Sequence, residues 1–211
     1  MATGEMALGT TDALETSAGR AEAGLVERCL GGDGQAFARL VALHEGMVYN
    51  LAARLLGDAE EARDLSQDVF LQVYRTLGRF RGQSRLKTWI YRIVVNQCRN
   101  RQRFWRRRRR DQSLPLDGLN GGDAAHLAGP APGDSPYDAV RRAESARHVQ
   151  AALLRLSFDH RAVLLLKEVD ELSCDEIAAA LGVAEGTVKS RLARARAALR
   201  GVLGPAAEEK P

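Results

Sequence analysis

Cysteine is scarce in this chain. Cys29, Cys98 and Cys174 are the only three in 211 residues, far apart, with no C-x-x-C pair and no histidine pair beside them. That argues against a disulfide framework or a built-in zinc site and makes the thiols small packing residues. Long hydrophobic runs are also lacking: none approaches the ~20 residues needed to cross a bilayer. The opening segment MATGEMALGTTDALETSAGR has neither the basic start nor the apolar core of a secretory signal. A cytoplasmic protein without membrane insertion is the expectation. Catalytic motifs are wanting too. In HEGMV, Val48 stands where a zinc-binding helix needs its second histidine, and GGDG lacks the G-K-[ST] ending of a phosphate loop. His44, His126, His148 and His160 form no ligand-like cluster. No intrinsic catalysis, metal or cofactor is expected.

What is present is a globular composition, 45% hydrophobic and 27% charged. The net charge of +4 is mild, but it is unevenly spread. Eight arginines and no acid lie between Arg99 and Arg110; five aspartates and no lysine or arginine lie between residues 111 and 140. Basic residues return without an acid from Thr187 to Arg200. Two cationic surfaces separated by an anionic tether point to a nucleic acid contacted twice.

The hydrophobic period is helical throughout, and no strand alternation competes with it. After a polar tail (1–23), Asp33 is a cap for a helix whose stripe is Phe37, Leu40, Val41, Val48, Leu51, Ala52 and Leu55, ending at Gly57. A second helix, from about Ala59 to Leu77, buries Leu65, Val69, Val73 and Leu77. A third, roughly Lys87 to Arg103, buries Ile90, Ile93 and Val94. Three such helices close a small bundle. The stretch DQSLPLDGLNGGDAAHLAGPAPGDSP reads as a linker, long enough for the halves to sit apart on a common target. Helical patterns then recur near 138–156, 159–169, 173–181 and 185–202. The fold class expected is all-α: a helical-bundle domain (24–110), an acidic linker (111–137), a second helical domain (138–203) and a short tail (204–211).

Within the second domain, EIAAALGVAEGTVKSRLARARAAL has the pattern of a helix-turn-helix. Gly182 ends the first helix, and Ala178 or Ala179 lets the crossing helix approach. Val188, Leu192, Ala195 and Leu199 form the buried side of the second helix. Thr187, Lys189, Ser190 and Arg194, with Arg191 on the flank, are then the groups for DNA, because the amino-terminal part of such a helix enters the major groove. The alternative for any one of them is a solvated basic face.

Two further faces need a role. Asp64, Asp68, Leu71 and Arg75 project from the second helix, opposite its buried stripe, as a partner surface or an ordinary solvated one. On the third helix, Trp89, Arg92, Asn96 and Arg103 share a side: an aromatic to stack on an exposed base, an amide for a base edge and arginines for the backbone. Trp89 is equally able to be a core residue, and Asn96 a bystander. A stand-alone operator-binding regulator explains the carboxyl-terminal motif but neither of these faces. An RNA-binding adaptor explains only the arginine run.

The segment AEEARDLSQDVFLQVYRTLGRFRGQSRLKTWIYRIVVNQCRN closely resembles the second domain of bacterial extracytoplasmic-function (ECF) sigma factors. DEIAAALGVAEGTVKSRLARARAAL resembles their fourth. The resemblance spans about residues 24–110 and 138–203, in order, and it implies an RNA polymerase subunit that directs promoter-specific initiation. The family's A-E-D-L-T-Q-E-V-F pattern docks on a coiled coil of the largest-subunit clamp of core polymerase; here it reads A-R-D-L-S-Q-D-V-F, with Arg63 where the family has an acid. The resemblance thus assigns polymerase contacts to Asp64, Gln67 and Asp68, joined by Leu71. It also assigns opening and reading of the −10 element to Trp89, Arg92, Asn96, Arg99 and Arg103, with Asn96 at the base, and binding of the −35 duplex to Thr187, Lys189, Ser190, Arg191 and Arg194. It further implies an anti-sigma partner, and a linker whose Asp117, Asp123 and Asp134 imitate a nucleic-acid backbone near the RNA exit path.

Overall fold

The computed structural model describes residues 21–112 and 135–204, and every regular element among them is helical. The expectations for the linker aspartates and for the outer tails lie outside the described residues. Helix α1 covers residues 21–30, so the expected tail is already helical by residue 21. A tight turn with Gly32 at φ 84° leads to Asp33. One Asp33 oxygen accepts from the Gln35 and Ala36 amides at 2.9 and 3.0 Å, while the other takes Arg28 Nη2 at 2.7 Å. These bonds start α2, Gly34–Leu56, and hold the Asp33 carboxyl below the usual range, the Ala36 amide contributing most.

Leu40, Val48, Leu51, Ala52 and Leu55 of α2 are buried as its period requires. Gly57 closes the helix at φ 74°, donating to Ala53 O. Asp58 then caps α3, Ala59–Thr76, whose Ala62, Leu65, Val69 and Val73 pack inward. Leu77 belongs to a short 3-10 turn, Leu77–Arg79, rather than to α3 itself.

Helix α4 runs from Leu86 to Gln112, well past the Arg103 end expected from its apolar stripe. The stripe stops where burial stops. The helix continues because arginine is a good helix former and no proline or glycine interrupts before Pro115. The expected linker therefore loses Asp111 and Gln112 to α4. At its other end Ser135 caps α5, Pro136–Arg155, with proline in the first turn.

Helix α6, Phe158–Leu164, passes into a π-turn at Leu165–Val169, where Asp170 N bonds Leu165 O. Glu171, at φ 57°, reverses the chain. A reciprocal capping box between Ser173 and Glu176 opens α7, Cys174–Leu181, and Gly182 at φ 66° ends it. Helix α8, Glu185–Leu203, buries Val188, Leu192 and Ala195. Of the small residues expected to admit α8, Ala178 is partly buried against the core and Ala179 is exposed, while Ile177 and Ala180 are buried.

The two halves are in contact and share one continuous apolar core. Helix α4 packs on α7, and the end of α2 packs on α5 and α6. Arg161 of α6, only 3% exposed, is the main polar element of that seam. It donates to the carbonyls of Leu153, Leu154 and Leu156 at 3.0–3.2 Å and to Leu55 O at the end of α2. Gln150 Nε2 adds a bond to Arg54 O at 3.1 Å. Burial, with Arg106 nearby, lowers the Arg161 pKa to about 10. The charge is held by carbonyl dipoles at two helix ends.

Candidate polymerase and nucleic-acid interface

Helix α3 presents Asp64, Gln67, Asp68 and Leu71 to solvent, Leu71 being 54% exposed. Leu71 is thus an exposed apolar side chain on the same face as the carboxylates of Asp64 and Asp68. Asp68 is partly committed: Arg101 Nη2 reaches it at 3.1 Å while Nη1 reaches Glu61 at 2.8 Å. Arg101 thus pins α4 to the acidic face, a tie that periodicity could not reveal because Arg101 lies off the stripe. Arg63, Gln67 and Phe70 line a groove of about 580 Å³ with Glu45, Gly46 and Tyr49 of α2. Arg63, where the family pattern has an acid, therefore lines the same groove as Glu45 and Tyr49.

On α4, Arg92, Asn96 and Arg103 are exposed along one side. Trp89 is half-buried, its ring 5.5 Å from Phe80, so one part of the indole is fixed by packing and the rest is open. The core alternative therefore holds for part of the ring. Fixing the ring lowers the entropy lost when anything stacks on it. Asn100, Arg103, Arg106 and Arg107 line a shallow groove further along. Arg99 departs from the set: it is half-buried, bonds Asp159 Oδ1 at 3.0 Å and lies over the Phe158 ring at 5.3 Å.

In α8, Lys189 is exposed and bridges Glu185 one turn back, which raises its pKa through that hydrogen bond and charge. Ser190 Oγ donates to Thr187 O at 3.0 Å and accepts from Arg194 Nη2 at 3.3 Å. Thr187, Ser190 and Arg194 are therefore a connected polar strip along the first three turns. The helix has no side-chain cap at Ala184, whose carbonyl instead accepts from the Thr187 and Val188 amides at 2.9 and 3.2 Å. Arg196 is committed to Glu168 at 2.6 Å, and Arg191 approaches Asp159 Oδ2 at 3.6 Å.

Comparison with known proteins decides the family. Residues 40–111 match the model described as Sigma-70 region 2, and residues 147–199 match Sigma-70, region 4. The RNA polymerase sigma-H factor of Pseudomonas aeruginosa is 36% identical over 185 residues, covering 88% of this chain and 95% of that one. The chain is an ECF sigma factor.

ECF RNA polymerase sigma factor SigW of Bacillus subtilis is 35% identical over 171 residues, covering 80% of the chain and 89% of its own length. Two solved structures share the fold. The sigma factor RpoE in complex with the anti-sigma factor NepR, from Bartonella quintana, has a TM-score of 0.64 at 25% identity, covering 82% of this chain and 98% of that one. CnrH in complex with the cytosolic domain of CnrY has a TM-score of 0.59 at 27% identity, covering 90% and 99%. Among the described residues, no helix of this sigma factor is long and apolar enough to cross a membrane. Cys29 and Cys98 are buried, the Cys98 thiol being pushed up to about 12 by desolvation, and Cys174 is half-buried at the start of α7.

Proposed function

We propose that this sigma factor works as two modules, residues 24–110 and 138–203, that grip core polymerase and promoter DNA at separate places. Asp64, Gln67, Asp68 and Leu71 meet the largest-subunit clamp. Trp89 and Asn96 hold an extruded base of the −10 element, with Arg92, Arg99 and Arg103 on the backbone. Thr187, Lys189, Ser190, Arg191 and Arg194 bind the −35 duplex, where arginine can read guanine by two hydrogen bonds and the hydroxyls and lysine hold phosphate. The observation carrying this reading is that one chain exposes an acidic face with Leu71, a half-fixed Trp89 beside Asn96, and the polar strip of α8. A regulator acting on duplex alone has no use for the first two.

Unstacking a base costs a few kcal/mol, which a protein pocket offsets once polymerase has distorted the duplex. The factor supplies binding and positioning rather than chemistry, and it acts in the cytoplasm. An anti-sigma protein restrains it, as the fold relative solved in complex with an anti-sigma factor supports. Run-off transcription with purified core polymerase on pooled genomic fragments tests subunit function and promoter choice together. Discrete transcripts that require both core and this factor are expected. Failure of the chain to associate with core polymerase would refute the reading.

A further inference from the structure

The cations of α8 differ in what surrounds them. Lys189 is bridged by Glu185 of the first turn, and Arg191 lies 3.6 Å from Asp159 Oδ2 of α6. Arg196 donates through Nε and Nη2 to Glu168 Oε1 at 3.0 and 2.6 Å, Glu168 belonging to the π-turn 28 residues earlier. Arg194 is exposed and bonds the Ser190 hydroxyl at 3.3 Å, with no carboxylate partner among the described residues.

With about 3.6 residues per turn, Arg191 lies to one side of the Thr187, Ser190 and Arg194 strip, and Lys189 and Arg196 lie to the other. Three acids from three elements therefore border the strip on both sides, while none stands within it. Exposed ion pairs of this kind add only about 0–1 kcal/mol each to stability, so their effect on DNA is the larger matter. A bare cation attracts phosphate across a screening length of about 8 Å. A paired cation presents a dipole whose field fades faster, and it takes phosphate only when the contact is close and aligned enough to replace the acid. In a pose rotated about the α8 axis, a bordering carboxylate is itself carried toward phosphate and is repelled.

We propose that Asp159, Glu168 and Glu185 are specificity-determining residues, which suppress sequence-independent phosphate contacts along the borders of α8 so that the helix holds firmly only where Thr187, Ser190 and Arg194 fit the bases. The proposal rests on the assignment of α8 to the −35 duplex. Once the strip is seated, Lys189 and Arg191 exchange their acids for aligned phosphates, and Arg196 stays with Glu168.

Glu168→Gln and Glu185→Gln each remove one bordering charge at an exposed position, and Glu144→Gln, exposed on α5, is the control for net charge. Anisotropy of a fluorescein-labelled duplex of arbitrary sequence, titrated with the full chain over a range of salt, reads phosphate binding. Run-off transcription by the reconstituted holoenzyme from a promoter fragment it selects, with the same duplex unlabelled as competitor, reads discrimination. Each acid variant is expected to bind the arbitrary duplex roughly fivefold more tightly near 0.1 M salt, with a logarithmic salt slope steeper by up to about 0.9. Roughly fivefold less competitor should then halve its run-off yield. Glu144→Gln should match the wild type. Adding Arg196→Ala to Glu168→Gln should return both readings to wild-type values, because the freed cation is what acts. An unchanged slope in both acid variants overturns the proposal. So does tighter binding without greater sensitivity to competitor, and so does an equal change in Glu144→Gln. Absence of core-dependent transcripts with the wild-type chain is a different outcome, and it refutes the sigma reading itself.

Discussion

Arg161 of α6 donates to the carbonyl oxygen of Leu55, 106 residues earlier in the chain, and so ties the end of α2 to the start of the second half. The guanidinium also serves Leu153, Leu154 and Leu156, which makes it the common donor for the ends of two helices. Replacing it with methionine keeps much of the volume but orphans buried carbonyls, each costing about 1–3 kcal/mol if water cannot reach it. Arg161→Met is expected to destabilise the chain by about 3 kcal/mol in urea melts. Arg161→Lys, with three donors but no planar fork, recovers part of the loss.

Gly57 sits on the same seam. A Cβ there would lie 2.5 Å from Leu154 Cδ1, and φ 74° is strained for any other L residue. Gly57→Ala should cost about 2 kcal/mol, of which about 1 belongs to the left-handed backbone. Leu154→Ala removes the clash but not the strain. In a double-mutant cycle the two substitutions together are therefore expected to cost less than the sum of the singles. Strict additivity would mean that Leu154 simply turns aside.

His44 gives the molecule a pH response. Its pKa is lowered from the ordinary 6.5, first by burial and then by the nearby Lys87. For a base with a depressed folded value, the unfolded chain binds the proton more readily. The stabilising contribution is therefore complete above about 6.5 and is lost as pH falls through the lower folded value. Urea melts should show stability falling between about pH 7.5 and pH 5.5, and His44→Gln should flatten that part of the profile.

Helix bounds were legible wherever local chemistry marks them. Asp33, Gly57 and Gly182 are each a cap that works through atoms within a few residues. The end of α4 was not, because hydrophobic period registers burial, and Arg106, Arg107 and Arg108 are helical without being buried. The exposed strip of α8 and the side of α4 bearing Arg92 and Asn96 follow from periodicity, since what is not buried at helical spacing must face outward. The commitments of Arg99 and Arg191 could not be read that way. They depend on Asp159, 60 residues from the first and in another helix: the packing of α6 on α8 brings it near Arg191, and the contact between the two halves brings it to Arg99. Tyr91 reads as core from its spacing, and nothing local tells that its hydroxyl reaches Asp170.

The division of labour on α4 leads to a last expectation. Asn96 is exposed one helical face with Arg103, yet an amide and a guanidinium should fail differently. An amide making two hydrogen bonds to a base edge contributes about 1–3 kcal/mol of discrimination, and only when that base is out of the stack. Asn96→Ala is therefore expected to slow open-complex formation roughly tenfold, measured by fluorescence of 2-aminopurine placed in the −10 element. The defect should persist on a template already unpaired there, because the lost contact is to the extruded base itself. In the proposed reading Arg103 instead holds backbone. Arg103→Ala should weaken complexes on all sequences alike and reduce the salt dependence of binding by about 0.7 in logarithmic slope on single strands. If the pre-opened template fully restored Asn96→Ala, the residue would act in separating the strands and not in holding the base.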